Sequence, residues 1–193
     1  MDLEGNTMKV AVCHEHGRPL TLENAKLNAP GPVEISVRVS ACAICHSDIA
    51  YMSGAWGGEL PAVSGHEAAG VIESVGSNVA DFLPGDTVVV SLIKSCGHCH
   101  FCRRSTPVLC ETQFPLDDCS SLTTSNGQRL RAEVRTGAFA QAVLIHRSQV
   151  VHIPQNMPPT SAALLACGVM TGIGAVMRSA ELQPGECGLY HRL

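Results

Sequence analysis

Four cysteines stand close together in the run Cys96-Gly97-His98-Cys99-His100-Phe101-Cys102 and at Cys110, separated by two, two and seven residues. Thiolates are soft donors, and each two-residue gap lets the chain fold back on one ion, so this spacing suits a tetrahedral zinc. Two disulfides, or a loop merely rich in cysteine, are the competing readings; tight Cys-x-x-Cys pairs favour the metal. Four thiolates leave no open coordination position, so such a site supports structure, and reactive chemistry has to be sought elsewhere.

Three scattered stretches offer it: Cys45-His46-Ser47-Asp48, Gly65-His66-Glu67 and Ala166-Cys167-Gly168. A catalytic zinc needs three protein ligands and one open position, which Cys45, His66 and Cys167 would supply together. Taken singly, a cysteine is commonly an inert buried residue and a histidine commonly packs or caps, so the weight lies in the combination. Cys42-x-x-Cys45 also admits a thioredoxin-like redox reading. That motif opens a long helix, whereas Gly54 cuts this one short.

The elements that must position these residues are mostly strands. Lys9–Cys13 has strand character, and Val33, Ile35, Val37 and Val39 alternate with polar residues at the period of a half-buried strand. A short helix over Ser47–Met52 follows, then strands through 70–76 and 87–92 on either side of the Leu83-Pro84-Gly85-Asp86 turn. Residues 115–136 are polar and read as a surface loop with a turn at Ser125-Asn126-Gly127. Strand character returns at 139–145 and 150–153. A helix follows from about Thr160, which could cap its first turn; Gly168 interrupts it, and a second helix runs over Thr171–Ser179. Short strands punctuated by Gly and Pro predict a compact barrel or sandwich from which the cysteine lobe projects.

Composition narrows the function classes. Of 193 residues, 45% are hydrophobic and 16% charged, the balance of an ordinary globular protein with a core to bury. Thirteen basic and 17 acidic residues give a formal charge of −4 with no long run of either sign. Neither nucleic acid nor an anionic membrane is favoured as a partner. No apolar run reaches the roughly 18 residues of a membrane span, and the N-terminus lacks the pattern of a secretory signal. Ten cysteines in such a chain point to a reducing, cytoplasmic setting.

Taken in order, the Gly65-His66-Glu67 signature, the interval from Cys45 to His66, the four-cysteine lobe and Cys167-Gly168-Val169-Met170-Thr171-Gly172 make the chain resemble the zinc-dependent medium-chain alcohol dehydrogenases over about residues 8–186. The resemblance implies a mainly β fold with peripheral helices (α+β): a GroES-like catalytic domain over 8–167, with its structural-zinc lobe at about 94–113. The start of a nucleotide-binding Rossmann domain would occupy 168–186. It implies two zinc ions per chain, a catalytic one on Cys45, His66 and Cys167 and a structural one on Cys96, Cys99, Cys102 and Cys110. Glu67 would lie beside the catalytic ion, and Asp48 would accept from the second ring nitrogen of His66.

In that family the ion lowers the pKa of an alcohol oxygen, so that hydride can leave carbon for a nicotinamide ring. Ser47 would take the alcohol's proton and pass it to the cofactor ribose. Many relatives carry a relay histidine three residues later, where this chain has Ala50. His46 would lie near the cofactor pyrophosphate and Thr171 near the nicotinamide. His98 and His100 are expected to be solvated. The implied partners are a small alcohol or aldehyde and NAD or NADP, with homo-oligomers expected for the full-length parent.

A dinucleotide enzyme also needs a strand, a Gly-x-Gly-x-x-Gly turn and a helix, which the given residues do not contain; Gly172-Ile173-Gly174 follows no strand. Residues 187–193 depart from the family pattern, and a reading frame shifted at Glu186 would permit a buried strand ending in glycine. The expected activity is hydride transfer between a primary alcohol and nicotinamide, with this chain inactive alone. The alternative is a zinc-binding, non-catalytic fragment or pseudoenzyme.

Overall fold

The computed structural model describes residues 7–118 and 120–188. The expectations for the extreme N-terminus and for the last five residues of the tail lie outside the described residues.

Ten strands form two five-stranded sheets that are mostly antiparallel. They are β1 (Met8–Val12), β2 (Thr21–Leu27), β3 (Glu34–Ala43), β4 (Ala62–Val63), β5 (Glu67–Val75), β6 (Thr87–Val90), β7 (Leu122–Thr124), β8 (Arg129–Ala132), β9 (Ala142–His146) and β10 (Val150–His152). One sheet has the order β1-β2-β7-β8-β4 and the other β10-β6-β5-β3-β9. Bridges from Val10 to Ala140 and from Cys13 to Ala62 join β1 to neighbouring segments, giving a near-barrel.

The alternation along β3 puts Ile35 and Val37 wholly inside. They pack with Ile72, Val88, Val143 and Ile145 in the larger core. β3 pairs with β5 from Ile35↔Val75 to Ala43↔Glu67, with register breaks at Ser36/Val37 and Val39/Ala41 that bend the strand towards the site. This register sets Glu67 opposite Ala43, two residues before Cys45. The second core gathers Met8, Val10, Val12, Val63, Leu122 and Leu130.

Helices are short and peripheral: α1 (His46–Ser53), α2 (His100–Arg103), α3 (Pro115–Asp118), α4 (Pro159–Ala163) and α5 (Gly168–Gly174). Ala162 and Ala163 of α4 pack on Ala69 of β5, where small side chains allow close approach. Among the described residues no single helix is long and apolar enough to cross a membrane; 159–166 and 168–179 meet that composition only as a pair bent by 48°.

Three expectations are corrected. Residues 115–136 are not a surface loop: Leu122 pairs with Leu130 across a β7–β8 hairpin, and both are buried. Their apolar positions are too few for a visible period, and the Asn126-Gly127 turn signal was the turn of the hairpin itself. β2 was not anticipated, because only Ala25 along it is buried. At the C-terminal end Pro158, not Thr160, caps α4, and α5 starts at Gly168, not Thr171, continuing as a wider turn over Ala175–Ser179.

Candidate metal centres and adjoining cleft

The sulfurs of Cys96, Cys99, Cys102 and Cys110 all lie within 4.8 Å of one another. Cys96 and Cys102 are 3.9 Å apart, as are Cys99 and Cys110. These distances are about twice a disulfide bond, and all four thiols are free. The loop turns its amides onto sulfur: the N–H groups of His98 and Cys99 donate to Cys96 Sγ at 3.4 and 3.2 Å. The Thr112 hydroxyl, followed by these amides, brings the Cys96 thiol down to about 5, while desolvation pushes Cys102 up to about 11. Four free thiols converging on a space sized for one ion are a donor set that fits zinc. His98 and His100 are exposed, with His98 Nδ1 2.9 Å from Cys96 O.

The lobe is tied down by a buried cation. Lys94 Nζ lies 2.6 Å from Asp117 Oδ1 and 5.0 Å from the centre of the Phe114 ring. Its side chain is only 1% exposed. Ser95 N donates to Ser148 Oγ at 2.9 Å, joining the lobe to the segment after β9.

The second cluster assembles residues far apart in the chain. One ligand atom each from Cys45, His66, Glu67 and Cys167 lies within 4.8 Å of all the others. Its organiser is Asp48, fully buried in the first turn of α1. Asp48 Oδ2 accepts from Cys45 N at 2.8 Å, and Oδ1 accepts from Gly65 N at 3.0 Å and from the His66 ring Nδ1 at 3.2 Å. One carboxylate thereby fixes the backbone of one candidate ligand and the ring of another, leaving His66 Nε2 for the cluster. The Asp48 hydrogen bond, working against desolvation, raises the His66 pKa.

Gly65 makes this possible: its φ is +98°, and a Cβ there would come within 2.6 Å of Phe139. Its carbonyl accepts from Ala138 N at 2.9 Å and from Thr136 Oγ1 at 2.8 Å.

Desolvation pushes the Cys45 thiol up, but the backbone and hydroxyl of Ser47, together with His66, outweigh it and leave the thiol lowered. Ser47 Oγ is 3.7 Å from Cys45 Sγ. Burial dominates at Cys167 and raises it, with Thr171 Oγ1 at 3.7 Å as partial compensation. Glu67 is 4% exposed and its Oε2 accepts from Gly168 N at 3.2 Å, pinning the start of α5 to the cluster. Two thiols, an imidazole and a carboxylate converging on one point suit a borderline-soft dication.

The structure brings Ser47, Asp48 and Thr171 to this cluster along with the four converging groups. His46 it leaves exposed on α1, and Ala50 is buried and apolar. Thr112, Thr136 and Lys94 were not singled out from the sequence, because their partners are distant in the chain and no local pattern marks them; Gly65 was read only as part of the Gly65-His66-Glu67 signature, without its conformational role.

Beside the four-cysteine lobe lies a cleft of about 980 Å³, walled on one side by Cys110, Glu111 and Thr112 and on the other by Tyr51, Trp56 and Glu133.

Residues 31–155 match the family described as "Alcohol dehydrogenase GroES-like domain". "Alcohol dehydrogenase-like 7" of Arabidopsis thaliana is 35% identical over 192 residues, covering 92% of this chain and 48% of that protein. A crystal structure of an alcohol dehydrogenase zinc-binding domain protein from Burkholderia ambifaria is similar at a TM-score of 0.86 with 32% identity, covering 93% of this chain and 50% of that one. Benzyl alcohol dehydrogenase from Acinetobacter calcoaceticus follows at 0.79 and 29%, with the same coverage. The chain spans about half the length of the curated relatives it matches.

Proposed function

Since this chain belongs to the family of alcohol dehydrogenase GroES-like domains, we propose that it is the catalytic domain of a zinc-dependent oxidoreductase exchanging hydride between a primary alcohol and a nicotinamide cofactor. The observation that carries this reading is the convergence of Cys45, His66, Glu67 and Cys167 on one point, with Asp48 behind His66. Zinc held by Cys45, His66 and Cys167 would supply a Lewis acid that makes an alcohol oxygen acidic near neutrality.

The chain's own groups do the rest. Asp48 keeps the His66 tautomer and ring direction constant through turnover. The Ser47 hydroxyl, beside Cys45, receives the alcohol's proton at Oγ and hands it towards the cofactor. Buried Ala50 offers no onward acceptor, so beyond Ser47 the proton leaves through water or another group. Glu67 holds Gly168, and its carboxylate would offer an oxygen as a fourth donor beside the two sulfurs and the imidazole nitrogen. Thr171 would contact the nicotinamide and exposed His46 the pyrophosphate of a bound cofactor. Cys96, Cys99, Cys102 and Cys110 would hold a second, structural zinc. In this reading the catalytic domain runs over 8–167, the nucleotide-binding domain begins at 168–186, and the whole protein is a cytoplasmic homo-oligomer.

The test is zinc analysis of the purified chain followed by hydride transfer from a primary alcohol to NAD or NADP in the full-length protein. Two zinc ions per chain and cofactor reduction are expected. Zero zinc with oxidised cysteines overturns the assignment, and two zinc ions without turnover in the full-length protein reduce it to a zinc-binding, non-catalytic domain.

A further inference from the structure

Glu133 is buried to 7% exposure, yet it has no hydrogen-bond or ion-pair partner among the described residues and lines the cleft. Burial raises its pKa, with Arg131 and His16 opposing and Glu59 adding to the rise. Its oxygens are not among the enclosed unpartnered side-chain atoms of the described residues, of which Glu73 Oε2 is one, so the carboxylate is open to the cleft and free to accept from a ligand. Two features keep the group open to the cleft. Gly58, at φ +123°, leaves room for it, since a Cβ there would come within 3.3 Å of Glu133 Oε1. The following residues, Val134 (φ 52°) and Arg135 (φ 61°), hold left-handed backbone, which is rare for a β-branched side chain and marks a conformation imposed by its surroundings.

Two elements run from the Cys45–His66–Cys167 cluster to the cleft wall. Helix α1 carries Ser47 beside Cys45 and, one turn on along the same face, Tyr51 in the cleft wall. Three residues after Glu133, Thr136 binds the carbonyl of Gly65, next to His66. Ser47 and Tyr51 are about one helical turn apart, so a molecule with one hydroxyl at the cluster and running along α1 would bring a second hydroxyl to the cleft wall that holds Glu133.

We propose that Glu133 is a specificity-determining residue that accepts a hydrogen bond from a second hydroxyl of the substrate, so that the preferred alcohols are diols or polyols. This rests on the proposed alcohol chemistry. The cleft wall carries three guanidinium groups, Arg129, Arg131 and Arg135, against four carboxylates, Glu59, Glu111, Asp117 and Glu133, with Arg135 paired to Asp117 at 3.7 Å, so the donor is taken as a neutral hydroxyl from the proposed alcohol chemistry. Arg131 is itself held by Glu59 at 2.8 Å.

Trp56 is the only tryptophan in the sequence and stands in the cleft, edge-on to Tyr51 at 5.3 Å, so its fluorescence reports occupancy directly. The zinc-loaded chain is titrated with hexan-1-ol, with 1,2-, 1,4- and 1,6-hexanediol and with 6-aminohexan-1-ol. At least one diol is expected to bind about tenfold or more tightly than hexan-1-ol, the gain from one hydrogen bond to a charged acceptor. Glu133→Leu is expected to abolish that preference and Glu133→Gln, which keeps an acceptor, to retain part of it. Equal binding of the mono-ol and every diol in the unsubstituted protein overturns the proposal whether or not the variants fold. So does an amino alcohol matching the best diol, or a preference that survives in a folded Glu133→Leu chain. Zinc content of the same sample reports the proposed reaction separately: full zinc without diol preference removes the cleft assignment alone, and diol preference without zinc removes the reaction alone.

Discussion

Replacing Asp48 by Asn keeps the shape of the side chain and removes one of the two oxygens that hold the Cys45–His66 cluster together. Three N–H donors converge on this carboxylate, from Cys45, Gly65 and His66. An amide has one oxygen and one NH₂, so whichever way it turns at least one buried donor faces another donor. An unsatisfied buried group costs about 1–3 kcal/mol, and the remaining hydrogen bonds lose their charge assistance, about 1 kcal/mol more. The sum, about 2–4 kcal/mol, corresponds to a fall of about 5–15 °C in Tm for a domain of this size. Zinc affinity at this cluster should fall about 10–100-fold, as for other lost partners of a ligating histidine. Thermal melting reads the first quantity, and competition with a chromophoric chelator reads the second in one sample, because the four-thiolate lobe serves as an internal control and should keep its metal. An Asp48→Asn chain with unchanged Tm and with both zinc ions released at the chelator concentrations of the unsubstituted protein would refute the reasoning.

Cys99→Ser should open the four-thiolate shell, lose one zinc per chain and lower Tm; metal analysis with thermal melting checks it, and undiminished zinc at an unchanged Tm is the contrary result. Leu130→Ala should destabilise by about 2–5 kcal/mol by emptying a fully buried position between β7 and β8, read as a shift in urea midpoint with little change in slope. The zinc-free chain should lose stability as pH rises through the His66 transition. The folded His66 pKa is raised by Asp48, so its contribution is complete below the unfolded value of about 6.5 and disappears above the folded one. A pH series of urea midpoints tests this, with Asp48→Asn expected to flatten the slope.

The parts of the molecule legible from sequence are those whose cause is local. Ile35 and Val37 alternate with polar neighbours, so β3 could be seen, and Gly54 stops α1 where its side chains stop being helical. The four-thiol lobe was visible for the same reason, since all its members lie within one short loop. Hidden features depend on distant partners. Leu122 and Leu130 become a hairpin core only when β2 and β4 flank them, and β2 shows one buried residue to a sequence reader. Lys94 looks like a surface cation until Asp117 and Phe114 enclose it. Glu133, among arginines in a polar stretch, gives no hint that it is buried without a partner. At the second cluster the residue types were readable, but Gly65 matters through its conformation and Thr136 through a bond to it across the sheet.

The two clusters also differ in how much chain must be closed to complete them. Cys96 to Cys110 is one short loop, and loop-closure entropy grows with the logarithm of its length, so four sulfurs can converge there before the sheets exist. The group formed by Cys45, His66, Glu67 and Cys167 cannot form until β5 has paired with β3 and α4 has packed on β5, since those contacts carry its members together. During synthesis from the N-terminus, domains assemble as their residues emerge. With zinc at both clusters as proposed, metal capture would be ordered in time: the lobe could load once the chain through Cys110 has emerged, and the second cluster only after Cys167, when nearly the whole domain is already in place.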